Sequence, residues 1–362
     1  MILHRYYAWR FLKSFAATFG VFFVMLSTVE LIEQSRSLSA GGLSDLLALT
    51  LLKVPEEIYE IMPLIVILSG IALFLGLARS SELVVTRAAG RSALAALAAP
   101  AVMTLLLGAT ATAVINPFVA ATSQAYEARD DALSGQTRVV TLSDDGLWLR
   151  QGDDQSQTVI RAARSNADGT VLMGASFLQF DADGLPRQRI EARMAELGGG
   201  QWLLRGVKRW DLEAGANPER AAERLPQMVL PSTLTANQIR DSFGDPSAIS
   251  VWDLPGFIAR LQAAGFTARR HQVFLQMELA QPLFFLSMLL IGAGFTMRHQ
   301  RGGRVGVMVL AAILLSFGVY FLRNFAQILG ENGQIPAALA AWAPPVAAIL
   351  AALGLLLHME DG

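Results

Sequence analysis

Six stretches of roughly membrane-crossing length, almost devoid of charge, punctuate this chain and leave it few architectures. They run over Phe11–Leu31, Ile58–Leu77, Leu94–Ile115, Val273–Met297, Val305–Leu322 and Ala337–Leu357. Crossing the hydrocarbon of a bilayer as a helix takes about 20 apolar residues. Backbone polar groups inside lipid must be satisfied within the segment, so each stretch is expected to be helical. Composition agrees: 53% of residues are hydrophobic and 16% charged, against about 25% charged in a soluble domain. The first run is longer than the about 7–15 apolar residues of a cleaved signal peptide, so it is expected to stay as a membrane helix.

Between the third and fourth runs the character changes. Over 118–268, charges, glycines and turn pairs such as Asp145-Gly146, Asp168-Gly169 and Asp183-Gly184 recur between short segments. Leu147 and Leu149 alternate with Trp148 and Arg150, and Ile190, Ala192 and Met194 alternate with Glu191 and Arg193, the strand period. The spacing of turns favours an antiparallel sandwich or jelly roll over a βαβ fold. Leu254, Ile258 and Leu261 after Asp253 predict a short amphipathic helix over 254–264 that leads back to the membrane. The expected fold class is therefore a membrane all-α protein, six transmembrane helices arranged 3+3, with an inserted antiparallel β domain. The expected divisions are 1–117, 118–268 and 269–362.

Orientation follows from basic residues near the helix ends, because cytoplasmic loops retain arginine and lysine. With the N-terminus inside, nine basic residues fall on the cytoplasmic side: Arg5, Arg10, Lys13, Arg79, Arg87, Arg91, Arg298, Arg301 and Arg304. Three, Arg36, Lys53 and Arg323, fall in the expected outer loops. Both termini are thus expected in the cytoplasm and the β domain outside it.

Several chemistries are excluded or disfavoured. The formal net charge of −1 and the dispersed basic residues give no nucleic-acid footprint. Cysteine is absent, which rules out disulfides and thiolate chemistry. The lysines are Lys13, Lys53 and Lys208, and none follows a glycine. A phosphate-binding loop needs the Gly-Lys-Ser/Thr end, so any ATP and magnesium must be held by a partner. His4, His271, His299 and His358 have no metal-ligand spacing and read as interfacial or solvated, and the acidic pairs Asp144-Asp145, Asp153-Asp154 and Glu56-Glu57 read as solvated turns. No residue constellation argues for an enzyme.

The expected cytoplasmic segment Arg79 to Arg91 mixes apolar and charged residues at helical spacing. Ser80 or Ser81 suits its start, Glu82 favours the positive end of its dipole, and Gly90 suits its stop. On the fifth run Phe317, Phe321 and Phe325 repeat every fourth residue with Tyr320 beside them, which places them on one helical face. Glu30 is a carboxylate near the outer end of the first run, a functional candidate by its placement.

The stretch Ser81-Glu82-Leu83-Val84-Val85-Thr86-Arg87-Ala88-Ala89-Gly90 resembles the coupling-helix region of the LptF/LptG permeases, the membrane subunits of the lipopolysaccharide exporter. The resemblance takes in the six helices, the β insertion after the third and Ser316-Phe317-Gly318 on the fifth. Gly146-Leu147-Trp148 and the return segment Ile249 to Gly265 resemble the LptG branch more than LptF. It implies an inner-membrane, non-catalytic permease that takes lipopolysaccharide from the outer leaflet and passes it through a periplasmic β-jellyroll-like domain. The implied partners are an LptF-like permease, an LptB-like ATPase dimer that binds ATP and magnesium, a single-helix LptC-like bridge, and lipopolysaccharide itself. It implies that Glu82, Leu83, Arg87 and Gly90 belong to the ATPase-coupling helix, and that Glu30, Arg36, Phe317, Tyr320, Phe321 and Phe325 border the lipid cavity and its gate. Around the outer end of the first helix, where some LptG members carry several basic residues, this chain reads Glu30-Leu31-Ile32-Glu33-Gln34-Ser35-Arg36 and keeps Arg36. Export of another amphiphile such as lipoprotein, or a membrane-anchored sensor or scaffold, are the competing readings of the same architecture.

Overall fold

The computed structural model describes residues 2–37, 42–88, 90, 92–134, 140–143, 146–152, 157–166, 169–181, 184–212, 218–220, 222–235, 239, 245–297 and 305–360. Arg91, Arg298, His299, Arg301, Arg304, Asp144, Asp145, Asp153, Asp154, Asp168 and Asp183 lie outside this set. The chain divides into two units: 1–133, 246–252 and 269–362 form one, and 134–245 and 253–268 the other.

The first unit is helical. Helix α1 spans Ile2–Ser37, α2 Leu43–Arg79 and the short α3 Glu82–Ala88. Helix α4, Ala93–Thr110, continues through a π-helical turn at Ala111–Ile115 into α5, Asn116–Ser134. Among the described residues, six helical spans are long and apolar enough to cross a membrane: α1, α2, the α4–α5 rod and the three that follow the insertion.

Helix α5 overturns the boundary expected at residue 117. Pro117 removes an N–H and its ring would strike the carbonyl of Ala113, but the wider π turn just before it absorbs the clash. The carbonyl so freed is not left bare, because Trp252 Nε1 donates to Ala113 O at 3.1 Å. Asn116 Oδ1 in turn accepts from the Val251 N–H at 2.8 Å. The helix therefore runs on through the proline, and the segment 246–252 folds back onto it.

In the second unit, α6 covers Leu254–Ala263, with Leu254, Ile258 and Leu261 buried as the spacing predicts. Among the described residues, seven strands form one antiparallel sheet: β1 Val140–Ser143, β2 Gly146–Gly152, β3 Gln157–Ser165, β4 Val171–Phe180, β5 Pro186–Gly198, β6 Gln201–Asp211 and β7 Glu223–Pro231. The antiparallel β insertion is as expected. Its described strands run in sequential order, a meander without the crossovers of a jelly roll. One face carries Leu147, Leu149, Ile160, Phe177, Ile190, Trp202 and Leu204, all buried. Trp202 meets Phe177 edge-on at 6.0 Å and donates Nε1 to Gln151 Oε1 at 3.1 Å, which satisfies its one buried polar atom.

After the insertion come α7 Arg269–Thr296, α8 Val305–Glu331 and α9 Ala337–Glu360. Helix α7 is the hub and packs against α2, α4, α8 and α9. Close approach is made possible by small residues, as is usual where lipid supplies no hydrophobic drive between helices. A Cβ on Gly108 of α4 would strike Pro282 of α7, and one on Gly70 of α2 would stand 3.0 Å from a Leu289 methyl. Pro282 frees the carbonyl of Glu278, and Thr112 Oγ1 of the π turn donates to it at 2.9 Å.

Three basic residues assigned to outer loops are helical instead. Lys53 lies within α2, Arg36 in the last turn of α1, and Arg323 within α8 with eight residues of helix still to come. The helices outrun their most apolar stretches because the hydrogen-bond ladder continues wherever side chains can still find partners. Glu56 and Glu57 likewise sit in α2, where Glu56 pairs with Lys53 at 2.9 Å, and His271 is buried on α7, so neither pair nor histidine is the solvated group expected.

Candidate functional site

Two regions of the helical unit gather the residues singled out in the sequence. The first is the short helix α3. The turn before it holds Ser81 at φ 57°, a left-handed conformation that costs a non-glycine residue strain. That geometry aims the Ser81 carbonyl at the helix, where it accepts from Val84 N and Val85 N at 3.1 Å each. Gly90 follows at φ 77°, the left-handed stop that glycine takes without penalty.

Glu82 opens α3 and is held from three sides. Arg10 of α1 donates Nη1 to its Oε1 at 2.7 Å, and Ser80 donates Oγ to the same oxygen at 2.8 Å. The third contact is the Tyr6 hydroxyl. Partial burial pushes the carboxyl up, but the hydrogen bonds from Ser80 and Tyr6 and the charge of Arg10 outweigh it and hold Glu82 below its ordinary value. One turn on, Thr86 Oγ1 donates to Glu82 O at 2.8 Å and meets the Tyr7 hydroxyl at 2.6 Å. Leu83 is buried in the helical core beside Tyr7 and Phe11. Arg87 belongs to the same helix. The sequence reading missed Val84 and Val85, which are 42% and 67% exposed and form the apolar outward face of α3. Their signal was present, two β-branched residues following a buried leucine.

The second region is α8. Phe317, Phe321 and Phe325 are exposed along one side, with the first two rings 6.5 Å apart. Phe317 and Tyr320 also line a crevice of about 160 Å³ with Ile61, Pro63 and Ile67 of α2 and Met288 of α7. That volume is below the about 300–1,000 Å³ of drug-sized ligand pockets. Phe321 and Phe325 are not part of its lining.

Glu30 and Arg36 do not join α8. Glu30 is buried, accepts from Gln34 Nε2 at 2.8 Å and lies beside Glu57 of α2, and Gln34 also donates to the Tyr126 hydroxyl at 2.9 Å. Lys53 sits 5.3 Å from the Tyr126 ring centre. These groups knit α1, α2 and α5 together. Arg36 is exposed at the end of α1.

A second polar cluster passed unnoticed in the sequence. Tyr59 of α2 donates its hydroxyl to Glu278 of α7, which is within electrostatic reach of Arg323 on α8. Arg323 donates to Gln281 Oε1 at 3.2 Å and lies 4.7 Å over the Phe284 ring. Glu278, an ionisable residue inside a predicted span, was the available signal.

A profile described as the lipopolysaccharide export system permease LptF/LptG matches residues 5–358. This chain belongs to the LptF/LptG permease family. It is 26% identical over 368 residues to the lipopolysaccharide export system permease protein LptG of Escherichia coli strain K12, covering 99% of this chain and 98% of that protein. LptG of Haemophilus influenzae is 24% identical over 375 residues, covering 99% of each. As an LptF/LptG permease with six membrane-length helices, the chain is a multi-pass membrane protein.

Within that family frame the helices differ sharply in how far the chain covers them. The most apolar window of α7 is 72% buried, whereas those of α1 and α8 are 6% and 11% buried. The two spans that carry the expected gate residues are the two the subunit leaves most open.

Proposed function

We propose that this chain is the LptG-type transmembrane subunit of an ATP-driven exporter that extracts lipopolysaccharide from the outer leaflet of the inner membrane and passes it to a periplasmic bridge. The observation that carries the reading is the open flank of α1 and α8 in a chain matched to the permease family along its length. Val21, Val24, Val29 and Ile32 on α1 and Leu314, Phe317, Phe321 and Phe325 on α8 are exposed, apolar and on spans of membrane length. Such faces suit acyl chains and a paired, related permease of the LptF type.

Energy enters through α3. No lysine follows a glycine in this chain, so ATP and magnesium are assigned to a separate ATPase pair. Val84 and Val85 supply the apolar surface for that partner, while Glu82 anchors α3 to the base of α1 through Arg10. A push on α3 is thereby passed to a gate helix by a hydrogen-bonded strut. The orientation that fits has both termini in the cytoplasm and the β unit in the periplasm, with a single-helix bridging protein beyond it.

Purification of the native complex in mild detergent, with identification of its subunits and lipid, tests the reading. Recovery of an ATPase, a second permease and lipopolysaccharide supports it, and a chain that purifies without ATPase or lipid sinks it. Labelling near Asp153 from outside, and near Arg87 and Arg301 only from inside, tests the orientation.

A further inference from the structure

The exposed face of the β-sheet has a feature that runs across strands. In the ladders from β3 to β6 one residue per strand is skipped at the same level: Ala163, Gly174, Arg193 and Gly206. The alternation of buried and exposed residues shifts there on each strand, so Ile190 and Ala192 are buried, then Ala195. The register is the same on either side of this row, so no residue is inserted on any strand; the row is a crease in which Ala163, Gly174, Arg193 and Gly206 stay level while their ladder rungs are lost. Gly174 and Gly206 take it with φ 61° and 66°, and a Cβ on Gly206 would run into the Arg193 guanidinium, whose Cζ would be 3.1 Å away. Arg193 is thus the sole long side chain on a floor of glycine and alanine.

Beside this floor lies a groove of about 860 Å³. Its charged lining comprises Arg161, Arg189, Arg193, Lys208 and the carboxylate Glu191, and Lys208 is paired with Glu219 beside it. Arg161 and Lys208 flank Ser176 and Glu191 in one cross-strand row. Trp148 lies under Arg161 at 5.7 Å and holds the guanidinium at the surface of the sheet. Arg189 pairs with Glu191 at 2.6 Å, an exposed pair that an incoming anion can exchange.

Arg161 and Lys208 stand three strands apart, about 14 Å, and Arg189 and Arg193 four residues apart on one strand, about 13 Å. A single phosphate reaches one such anchor. We infer that this face of the β unit is a binding groove for an extended anionic ligand with at least two phosphate groups, the guanidinium forks of Arg161 and Arg193 being its main contacts. The inference deepens the export reading and rests on it for the lipid-borne form of the ligand, a phosphorylated glycolipid head group.

The test uses full-length protein in uncharged-detergent micelles with three probes: inorganic tripolyphosphate, a bis-phosphorylated glycolipid, and that glycolipid stripped of phosphate. Arg161→Glu with Arg193→Glu is expected to weaken both phosphorylated probes by at least about tenfold, and added salt to weaken wild-type binding. Arg205→Gln, outside the groove, is expected to leave both unchanged. Tripolyphosphate that binds without displacing the glycolipid would assign the groove to free phosphate, and displacement would assign it to the head group. Arg161→Gln with Arg193→Gln, checked for an unchanged proteolysis pattern, keeps the test valid if charge reversal unfolds the sheet. Wild-type affinity in both double variants, or equal affinity of wild type for stripped and phosphorylated glycolipid, overturns the groove. Export that persists alongside wild-type affinity in the double variants removes the groove and leaves the export reading standing. A complex that moves no phosphorylated glycolipid while the groove still binds tripolyphosphate does the reverse.

Discussion

Helices α7 and α8 are neighbours of 28 and 27 residues, yet the protein treats them in opposite ways. Helix α8 is the more apolar of the two and the less covered, while α7 carries Glu278, Gln281 and Ser287 and is the most enclosed of the described spans. In water the ranking would be reversed, because burial follows hydrophobicity there. Lipid removes that rule, since an apolar side chain gains nothing by leaving acyl chains for protein. What selects a helix for the interior is small residues that admit close backbones and polar groups that must find partners. Bulky apolar faces are left for lipid, cargo or another subunit.

The strongest way to break this comparison is to fill the hub. Gly108→Val would drive a side chain into Pro282 backbone, and is expected to destabilise by about 3 kcal/mol or to prevent assembly altogether, since backbone cannot step aside. Gly318→Val on α8, where a Cβ meets nothing within 4 Å, is expected to change stability by less than about 0.5 kcal/mol. Thermal melts in detergent compare the two, and equal losses would mean that α8 is as tightly packed as α7.

Next in size comes the polar cluster. Glu278→Leu leaves the Tyr59 hydroxyl and Arg323 short of a partner and is expected to cost about 1–3 kcal/mol, despite making α7 more apolar. A stabilised Glu278→Leu variant would show that the network is not what holds α7.

Smaller still is the tie between α1 and α3. Arg10 and Glu82 form a part-exposed pair, so Glu82→Ala is expected to cost about 0.2–1 kcal/mol, with Glu82→Arg worse and the swap with Arg10→Glu recovering part of the loss. Because the Glu82 carboxyl is held below its ordinary value, its contribution is present above about pH 4.3 and fades as pH falls through the lowered folded value. Spin labels on α1 and α3 should therefore keep their separation from neutral pH down to about 5 and lose it only in stronger acid. Loss of the tie already near neutral pH would mean that Glu82 is not the group that holds it.

The least effect on the subunit is expected on the open flank. Phe321→Ala with Phe325→Ala should alter the melting of the isolated chain by less than about 0.5 kcal/mol while sharply reducing photo-crosslinking of lipid to α8. Unchanged crosslinking would remove these two rings from the cargo path and leave α8 facing a protein partner.

The β unit draws a similar line between pattern and packing. Alternation named Leu147, Leu149, Ile190 and Ala192 as the buried set, but extending it to Met194 failed because the crease at Arg193 shifts the buried phase to Ala195 without changing the register. Two adjacent residues that face one way cannot be told in advance from a strand that simply continues. Glycine at 174 and 206 was the visible hint, weakened by the many glycines that mark ordinary turns.

By itself the sequence determined the membrane class, the count of spans, the β insertion and the family resemblance, because chain-local terms fix them: run length against bilayer thickness, side-chain period and turn chemistry. It also placed Phe317, Phe321 and Phe325 on one face, since helical geometry alone does that. Only the tertiary structure decided that the helix would run on through Pro117, that Glu30 would be buried, and that Arg323 would stand over Phe284 beside Gln281. Each depends on a donor or acceptor supplied from a distant segment: Trp252 for the Ala113 carbonyl, Gln34 for Glu30, Gln281 for Arg323. Inside a low-dielectric unit the fate of a polar group is set by the partner it meets, and the meeting is a property of the folded chain.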